Sequence, residues 1–517
     1  MSWVSGAERN REVHFALAGT VVVLLLRLWF ALHLRFCGTP DSCSYLALAE
    51  SLSAHHGFMQ RFLFDYQLDR LALPAHGIEY WRPGTSFFLL LAKPFGGVTL
   101  HSGAVLSMLA GVVLSLAAWK IGLDCSGSRG AACASYLLTL VLPPMWFGSM
   151  TPDSVLFYGA AVAWFLLLFR VRFRSYTEDA LAFFCLVIAD LIRNDAMLLL
   201  APVAVVLLLR ARSGESRGAS APYRLLVIAG FLAAMIPMHA IDYAVLGEFF
   251  PTGAWKALWM SDLSDMSRFG EPVTWRRLLS YGVGHLILLR VETLAVLVYR
   301  IVFLLIGFAA IFLPLLAIRR EREGRAAMPE IAGGASFAVT LVLVYSLVLP
   351  AIGISSLRSF CALLPLCAVL IVAGVRAVAG SRRVAGWLLG ATLLFYFLGG
   401  AMEDRRSVPE LNAEAATDEG VAALLHARGA EPGGGSLVMT GDPAQFSETT
   451  DYGAIPLPEN GPAAARQAAD LLGATHVLID TDKLPGTLEE IRSALEPAEV
   501  SAVPGTHLLL LTLRARR

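Results

Sequence analysis

Charged residues are scarce in this sequence. Asp, Glu, Lys and Arg make up 16% of its 517 residues, whereas 56% are hydrophobic and the mean hydropathy is +0.63. A soluble chain of this length could not hide so much apolar surface, so the composition excludes an ordinary soluble enzyme and indicates a membrane protein. Acidic and basic residues number 41 each. The zero net charge says little about partners, because the distribution of charge matters more than its sum, and no nucleic-acid partner is predicted.

Motifs for metals, nucleotides and export are also missing. The seven cysteines show no CxxC and no metal-ligand spacing, so most are interpreted as small apolar residues in helices. A pairing of Cys37 with Cys43 in an oxidising compartment remains open. Gly433-Gly434-Gly435 is not followed by Lys-Ser/Thr, which favours a turn over a nucleotide loop. The first apolar run, 14–35, has no clear cleavage site and is predicted to be a retained helix.

Long apolar runs dominate the first 400 residues. About 20 residues are needed to cross a bilayer as a helix. Runs of suitable character predict about eleven transmembrane helices, at 14–35, 101–120, 130–149, 154–170, 179–192, 195–210, 223–246, 286–317, 331–352, 358–376 and 384–401. The apolar stretch 85–94 is too short to cross, and it predicts a helix that lies at the membrane surface.

With 85–94 kept at the surface, the basic loops all fall on one side of the membrane. By the positive-inside rule that side is cytoplasmic, which places the amino terminus inside and the carboxyl terminus outside. Counting 85–94 as a span would reverse every later loop. Three segments are then predicted to be extracytoplasmic: 35–95, 247–284 and everything after Met402.

These patterns predict a mainly α, polytopic membrane protein with two domains. Residues 1–401 would form the transmembrane domain, whose first extracytoplasmic loop, 37–95, carries surface helices. Residues 402–517 change to a polar composition rich in Ala, Gly and Pro, and predict a small extracytoplasmic α/β domain. Its expected strands lie at 436–440, 475–480 and 506–513, and its expected helices at 463–472 and 487–495.

The tetrapeptide Thr-Pro-Asp-Ser occurs twice, at 39–42 and 151–154, each time after an apolar run. If both runs cross in the same direction, Asp41 and Asp153 emerge on one membrane face, where ionisable residues commonly serve chemistry or substrate binding. Tyr45 opens an apolar stripe at helical spacing after Asp41. This stripe predicts an amphipathic helix along the membrane surface, able to present Asp41 to a lipid head group.

Other candidate residues gather on the same predicted face. They are Trp81, Arg82, Arg193, Asp195 and Arg358. Arg193 and Asp195 lie in a tight turn between two apolar runs, and a structural salt bridge between them remains open, as does snorkelling of the Arg358 side chain. Charged residues inside helices, such as Asp242, are interpreted as packing pairs.

Acids beside cations at a lipid boundary suit displacement at a sugar carbon that bears a lipid phosphate. A carboxylate takes the proton of the acceptor, and arginines stabilise the charge on the departing phosphate. One base and one clamp for the leaving group, with no carboxylate nucleophile, predict inversion at the anomeric carbon. Tyr45, Trp81 and Asp195 are candidates for substrate contact, and Arg82, Arg193 and Arg358 for the donor phosphate.

The sequence resembles the membrane glycosyltransferases of the C-type fold, in the branch of bacterial aminoarabinose transferases and protein O-mannosyltransferases. The resemblance is carried by Asp41 with Tyr45 and the following Leu-Ala-Leu-Ala, by Arg82-Pro83, and by Thr151-Pro152-Asp153. Leu191–Asp195 and Arg358-Ser359-Phe360 through Leu364-Pro365 also resemble motifs of that group. Together these segments fall within residues 14–400.

The resemblance implies that Asp41 is the catalytic base, that Asp153 is a second acid at the acceptor or donor sugar, and that Arg82 contacts the phosphate. It departs at Ser42, where protein mannosyltransferases carry a second acid, and at Trp81, where aminoarabinose transferases carry an acid. The second departure weakens a metal site, so no cofactor is predicted with certainty and a divalent metal is not supported.

The expected function is therefore transfer of a sugar from a polyprenyl-phosphate donor to a glycolipid, glycan or protein acceptor, outside the cytoplasm at the cell membrane. The segment 247–284, with Trp255, Trp259 and Trp275, is expected to select the acceptor or to anchor at the interface. A secondary transporter is the alternative. It predicts inverted repeats and charges near the middle of the bilayer, and no such repeat is visible.

Overall fold

The computed structural model describes residues 6–68, 70–212, 220–251, 256–300, 328–349, 356–433, 435–483 and 488–514. The predicted run 286–317 lies partly outside these residues, as do Trp255 and Gly434.

Helices make up most of the described chain and all of its membrane part. In chain order they are α1 (Gly6–His33), α2 (Pro40–Ser53), α3 (Gly84–Leu89), α4 (Leu100–Ser126), α5 (Arg129–Val141), α6 (Pro143–Met150), α7 (Ser154–Leu168), α8 (Tyr176–Ile192), α9 (Leu200–Arg212), α10 (Ala221–Leu246), α11 (Trp275–Ser280), α12 (Val283–Arg300), α13 (Met328–Leu343), α14 (Ser356–Phe360), α15 (Leu364–Val378) and α16 (Arg382–Ala427). Short 3-10 turns cover Leu90–Phe95, Asn194–Leu199, Leu263–Ser267 and Cys361–Leu363. A π-helical turn, Val344–Val348, follows α13.

Six helices in the described residues are long and apolar enough to cross a membrane, or seven if the bent pair α5 and α6 is one span. Shorter apolar helices lie at Ser154–Leu168 and Ala332–Val348. The chain is therefore a multi-pass, mainly helical membrane protein, and the number eleven stays a prediction. Pro143 explains the bend of 57° between α5 and α6, because a proline cannot donate to the preceding helical turn.

Local sequence sets the helix ends that frame the membrane part. Thr99 and Ser102 form a reciprocal capping box at the start of α4. The helix ends at Gly127, whose φ of +63° is readily adopted by glycine. Ser128 then caps α5 one residue later, so α4 and α5 form a tight antiparallel pair.

Helix α2 differs from the sequence expectation. It begins where predicted, but all residues from Ser42 to Ala49 are buried, so it does not lie on the membrane with one free face. It packs against α3 on one side and against helix Pro443–Thr450 of the carboxyl-terminal domain on another. The sequence stripe held no sign of the carboxyl-terminal domain, which covers part of α2.

The surface helix predicted at 85–94 is present as α3 and the following 3-10 turn, and it is too short to span. Cys37 and Cys43 form a disulfide that encloses Asp41, with their Cα atoms 5.2 Å apart. This pairing was the alternative that the sequence left open. The other five cysteines form no disulfide, and Cys133, Cys361 and Cys367 are buried.

The carboxyl-terminal domain holds a five-stranded sheet in the order β4-β3-β5-β7-β6. The strands are β3 (Leu437–Thr440), β4 (Gly453–Pro456), β5 (His476–Asp480), β6 (Pro497–Ala502) and β7 (Leu508–Leu513), and its helices are α17 (Pro443–Thr450), α18 (Pro462–Leu472) and α19 (Leu488–Leu495). Strands β3, β4 and β5 run parallel, and β7 is antiparallel to β5 and β6. The three predicted strands and two predicted helices are present. Strands β4 and β6 and helix α17 were missed, because they are short and weakly patterned.

Two connections join this domain to the rest of the chain. Helix α16 runs without interruption from Arg382 to Ala427, so the predicted division at 401/402 falls inside a helix and no linker lies there. Strands β1 (Met59–Gln60) and β2 (Ala75–His76) pair within the first loop, and Phe62 bridges to Ala454 at the edge of the sheet. The first loop thus lies against the carboxyl-terminal domain, directly beside the residues described next.

Candidate active site

The two Thr-Pro-Asp-Ser copies are both helix starts, capped in different ways. In the first copy, the Thr39 hydroxyl accepts a hydrogen bond from the Ser42 backbone N–H, which places Asp41 in the first turn of α2. In the second copy, Asp153 itself caps α7 by accepting from the Val155 N–H at 3.2 Å. Carboxylates are favoured at both positions, because helix N-termini carry partial positive charge.

Arg358 brings the two aspartates together. One guanidinium nitrogen donates to Asp41 Oδ2, and the other lies 3.2 Å from Asp153 Oδ2. Thr39 Oγ1 also donates to Asp153 Oδ2, at 3.3 Å. The two copies of the tetrapeptide therefore meet through a single arginine from α14. Two carboxylates this close need a shared cation, because like charges would otherwise repel.

The three charged groups differ in access. The side chains of Asp41 and Arg358 are 17% and 22% exposed, whereas that of Asp153 is 2% exposed. Asp153 is also occupied on both oxygens, because Ser154 Oγ and the Val155 N–H donate to Oδ1. A ligand can thus reach Asp41 and Arg358 without first breaking the contacts of Asp153.

A second polar group lies beside the first, since Ser359 follows Arg358 in the chain. Asp195 accepts hydrogen bonds from Arg193 Nε at 3.0 Å, from the Tyr345 hydroxyl at 2.7 Å and from Ser359 Oγ. The salt bridge that the sequence left open between Arg193 and Asp195 is therefore present. The Arg193 guanidinium also lies over the Tyr158 ring, 5.8 Å from its centroid.

Arg82 is engaged elsewhere. Its Nη1 donates to Asp242 Oδ2 at 2.6 Å, and its Nε donates to Asn194 Oδ1. The Arg82 side chain is 10% exposed and that of Asp242 is fully buried. Arg82 thus fixes the residue between Arg193 and Asp195, and the structure does not join it directly to Asp41 or Arg358. The interpretation of Asp242 as a packing pair agrees with this contact.

Tyr45 and Tyr80 line the same region. Burial raises the pKa of the Tyr45 hydroxyl well above its ordinary value, and the nearby charge of Asp41 raises it further. Burial and the charge of Asp41 act on the pKa of Tyr80 in the same direction. Both phenols therefore stay neutral at ordinary pH and can serve as hydrogen-bond donors.

Trp81, a candidate for substrate contact, lies in a cluster of aromatic rings. It is 4% exposed and packs edge-on against Phe62, Phe64 and Tyr80. Its ring therefore offers no open face to a sugar. These aromatic rings form a small core within the first loop.

Three residues of the site were not singled out from the sequence. Thr39 and Ser359 stood next to named residues, and their hydroxyls contact Asp153 and Asp195. Tyr345 could have been suspected from the sequence, because a tyrosine within an apolar stretch usually needs a hydrogen-bond partner for its hydroxyl.

The remaining predicted groups lie outside this cluster. Trp259 and Trp275, in the segment 247–284, are 40% and 53% exposed. Among the described residues, no group of three or more His, Cys, Asp or Glu side chains is placed to hold a metal ion.

No protein-family model and no curated protein matches the sequence. Solved structures do match. ArnT from Cupriavidus metallidurans, bound to undecaprenyl phosphate, aligns over 96% of this chain and 98% of its own, with a TM-score of 0.61 and 13% identity. Its apo structure aligns equally well. The archaeal oligosaccharyltransferase AglB from Archaeoglobus fulgidus, in complex with an inhibitory peptide and a dolichol-phosphate, aligns over 92% of this chain and 70% of its own, with a TM-score of 0.51 and 11% identity. The predicted resemblance to C-type membrane glycosyltransferases is thus confirmed at the level of the fold.

Proposed function

We propose that this protein is an inverting glycosyltransferase that moves a sugar from a polyprenyl-phosphate donor to an acceptor on the extracytoplasmic face of the cell membrane. The observation that carries the proposal is the contact of one accessible arginine, Arg358, with two aspartates at the start of two helices. The shared fold with proteins solved with undecaprenyl phosphate and dolichol-phosphate supports the choice of donor.

In the proposed reaction, Asp41 is the general base. The acceptor hydroxyl or amine gives its proton to the Asp41 carboxylate as the acceptor atom bonds to the anomeric carbon. The bond from that carbon to the phosphate oxygen breaks on the opposite side, and the lipid phosphate leaves with the electron pair. Because the attacking and leaving groups lie on opposite faces, the configuration inverts.

Arg358 would change partners during this reaction. A donor phosphate that binds Arg358 competes with Asp41 for the guanidinium, and thereby frees the Asp41 carboxylate to contact the acceptor when the donor is in place. The same arginine then stabilises the charge that develops on the leaving phosphate.

The other residues are given supporting roles. Asp153, buried and occupied on both oxygens, would hold Arg358 and the start of α7 rather than touch the sugar. Arg193 and Asp195 would line the side of the site that binds the polyprenyl-phosphate donor. Tyr45 would donate a hydrogen bond to the substrate from its neutral hydroxyl. Arg82 would not touch the substrate, but would position Arg193 and Asp195 by holding Asn194 between them.

The disulfide supports the placement outside the cytoplasm. Disulfides persist in oxidising compartments, and Cys37–Cys43 encloses Asp41. The topology test is cysteine labelling: a cysteine placed at the exposed Glu431 should react with a membrane-impermeant maleimide added to spheroplasts. Labelling only after lysis would place the domain, and Asp41 with it, in the cytoplasm.

The function test uses the purified full-length chain in nanodiscs with polyprenyl-phosphate-linked pentoses and hexoses and a membrane glycolipid extract. We expect release of free polyprenyl phosphate, seen by mass spectrometry, and a glycosylated product with anomeric configuration opposite to the donor by NMR. Retention of configuration would contradict the single-base mechanism. Solute uptake into proteoliposomes without donor lipid, and no release of polyprenyl phosphate, would favour a transporter.

A further inference from the structure

A narrow cleft lies between α4, α7, α13 and the start of α15, away from the candidate active site. Its apolar wall includes Ala163, Leu166, Leu167, Gly334, Leu363 and Leu366. Asp124 and Arg170 stand at its polar end. The enclosed volume is only about 40 Å³, so a ligand would lie along the open side of the cleft. The wall thus suits hydrocarbon, and the polar end suits a charged group.

The polar end carries more positive than negative charge. Asp124 accepts from Lys120 at 2.7 Å and from Arg170 at 2.8 Å, and Arg174 lies 3.7 Å away. One carboxylate cannot neutralise three cations, so the group has a net charge of about +2. The neighbouring Arg210 does not contribute to this excess, because Asp179 pairs with it at 3.1 Å.

Arg170 has unused hydrogen-bonding capacity at this point. The residue is 7% exposed, and its Nε is buried without a hydrogen-bond partner. A buried guanidinium N–H left unpaired costs free energy, which an anion in the cleft would recover. The backbone carbonyl of Arg170 accepts from Arg210, so its position is fixed.

The cleft is separate from the candidate active site. Asp153 caps one end of α7, and Arg170 follows the other end. A helix of 15 residues is about 22 Å long at 1.5 Å per residue. An anion held at Arg170 is therefore near the opposite side of the membrane from Asp153 and cannot be the phosphate that Arg358 would bind.

We propose that this cleft binds an anionic phospholipid, with its phosphate at Lys120, Arg170 and Arg174 and an acyl chain along the apolar wall. Basic pockets between transmembrane helices bind anionic head groups in this way. The apolar wall favours a lipid over a free phosphate, since a soluble anion would leave that wall uncovered. The site is independent of the proposed function, because it needs neither donor nor acceptor.

The test is native mass spectrometry of the full-length protein, delipidated in detergent and titrated with phosphatidylglycerol or phosphatidylcholine. Wild type should bind phosphatidylglycerol more tightly. The double variant K120Q/R174Q should lose affinity about fivefold for each cation removed, because each contributes about 1 kcal/mol near an anionic head group. The matched control is Arg172→Gln, since Arg172 is exposed in the same loop but is not among the described cations that pair with Asp124 at the polar end.

A second variant tests the apolar wall. Ala163→Leu should narrow the cleft and weaken phosphatidylglycerol binding while leaving every charge in place. It decides the question alone if K120Q/R174Q does not fold, as judged by circular dichroism. Equal affinity for both lipids in the wild type, or unchanged binding in the folded variants, would overturn the proposal. Displacement of phosphatidylglycerol by polyprenyl phosphate would also overturn it, by assigning the cleft to the donor.

Discussion

Asp41 and Arg358 form an ion pair across 317 positions of the sequence, and the same guanidinium reaches Asp153. The pair joins the start of α2, in the first loop, to α14, which leads into α15. Of Asp41, Arg358 and Asp153, only Asp41 and Arg358 have appreciably exposed side chains. A substrate phosphate can therefore approach Arg358 and, by binding it, displace the Asp41 carboxylate from the guanidinium.

The planar guanidinium of Arg358, and not only its positive charge, is predicted to be essential for turnover. Arg358→Lys keeps the charge but cannot bridge two groups with a planar guanidinium. We expect turnover of the polyprenyl-phosphate donor to fall by about 10²-fold or more, measured as released lipid phosphate. Arg376→Lys is the control, since Arg376 is exposed near the far end of α15. Equal turnover of the two variants would contradict the role of Arg358.

Asp153 is predicted to position the site. Asparagine is as good a helix cap as aspartate, and Arg358 keeps Asp41 as a charged partner, so Asp153→Asn should melt close to the wild type. Asp153→Ala also loses the cap and should cost at least about 1 kcal/mol of stability. The measurement is thermal unfolding in detergent, with donor turnover recorded in parallel. We expect Asp153→Asn to keep more turnover than Asp41→Asn. The reverse order would assign the base to Asp153.

The contact between Arg82 and Asp242 is predicted to be structural. Breaking a buried pair leaves an uncompensated charge and costs about 3–5 kcal/mol, so Arg82→Gln and Asp242→Asn should each destabilise the protein strongly. The double variant should recover part of the loss, which a double-mutant cycle in denaturant measures. If Arg82→Gln instead weakens donor binding with no loss of stability, Arg82 contacts the phosphate as the sequence resemblance implied.

The disulfide beside Asp41 is predicted to protect two cysteines from alkylation. Alkylation of the denatured, unreduced protein should modify five of the seven cysteines, and reduction should make all seven reactive. Intact mass distinguishes the two products. The double variant C37S/C43S should lower turnover, because it frees the turn that presents Asp41. Seven alkylated cysteines without reduction would mean that the pair is not formed in the cell.

Stability is predicted to fall as pH rises from about 4 to about 7, partly through Asp65. Burial raises the pKa of this carboxyl group to about 7, against opposing effects of its hydrogen bond from Gln67 and the charge of Lys256. The folded state thus holds the proton more tightly than the unfolded chain, whose pKa is about 3.9. The contribution is complete below that value and is lost as pH rises through the folded pKa.

The check on Asp65 is the melting temperature at pH 5 and pH 8. Asp65→Asn keeps an acceptor for the Gln67 N–H and should reduce the drop between the two conditions. Glu410→Gln, at an exposed position of α16, serves as the control and should leave the drop unchanged. An unchanged drop in Asp65→Asn would show that other groups determine it.

The two aspartates could be found in the sequence because their signal is local, a tetrapeptide that occurs twice after an apolar run. The structure gives the copies a further local role, since Thr39 and Asp153 cap helices through contacts within three residues. The partner of Asp41 was less accessible, since Arg358 lies in another helix. The sequence indicated which face Arg358 would occupy, but only the packing of α14 against α7 selects the two aspartates as its partners.

The surroundings of Arg82, Trp81 and helix α2 differ from the sequence expectation for one reason. Arg82 and Trp81 sit in a stretch that is typical of a membrane interface, yet both are buried by parts of the chain that are distant in sequence. Asp242 supplies the acid for Arg82, and the first loop folds its own aromatic core around Trp81. Helix α2 was misjudged in the same way, because the carboxyl-terminal domain covers it. An amphipathic pattern indicates that one face of a helix is buried, but it does not show how many other parts of the chain pack against that helix.

The most direct test of the central claim is the turnover of a polyprenyl-phosphate-linked sugar by Asp41→Asn in nanodiscs, alongside wild type and Glu431→Gln as an exposed control. We predict that Asp41→Asn still binds the donor by native mass spectrometry, yet releases lipid phosphate at least about 10²-fold more slowly. Turnover close to that of the wild type, in a folded variant that binds donor, would contradict the assignment of Asp41 as the base and with it the proposed active site.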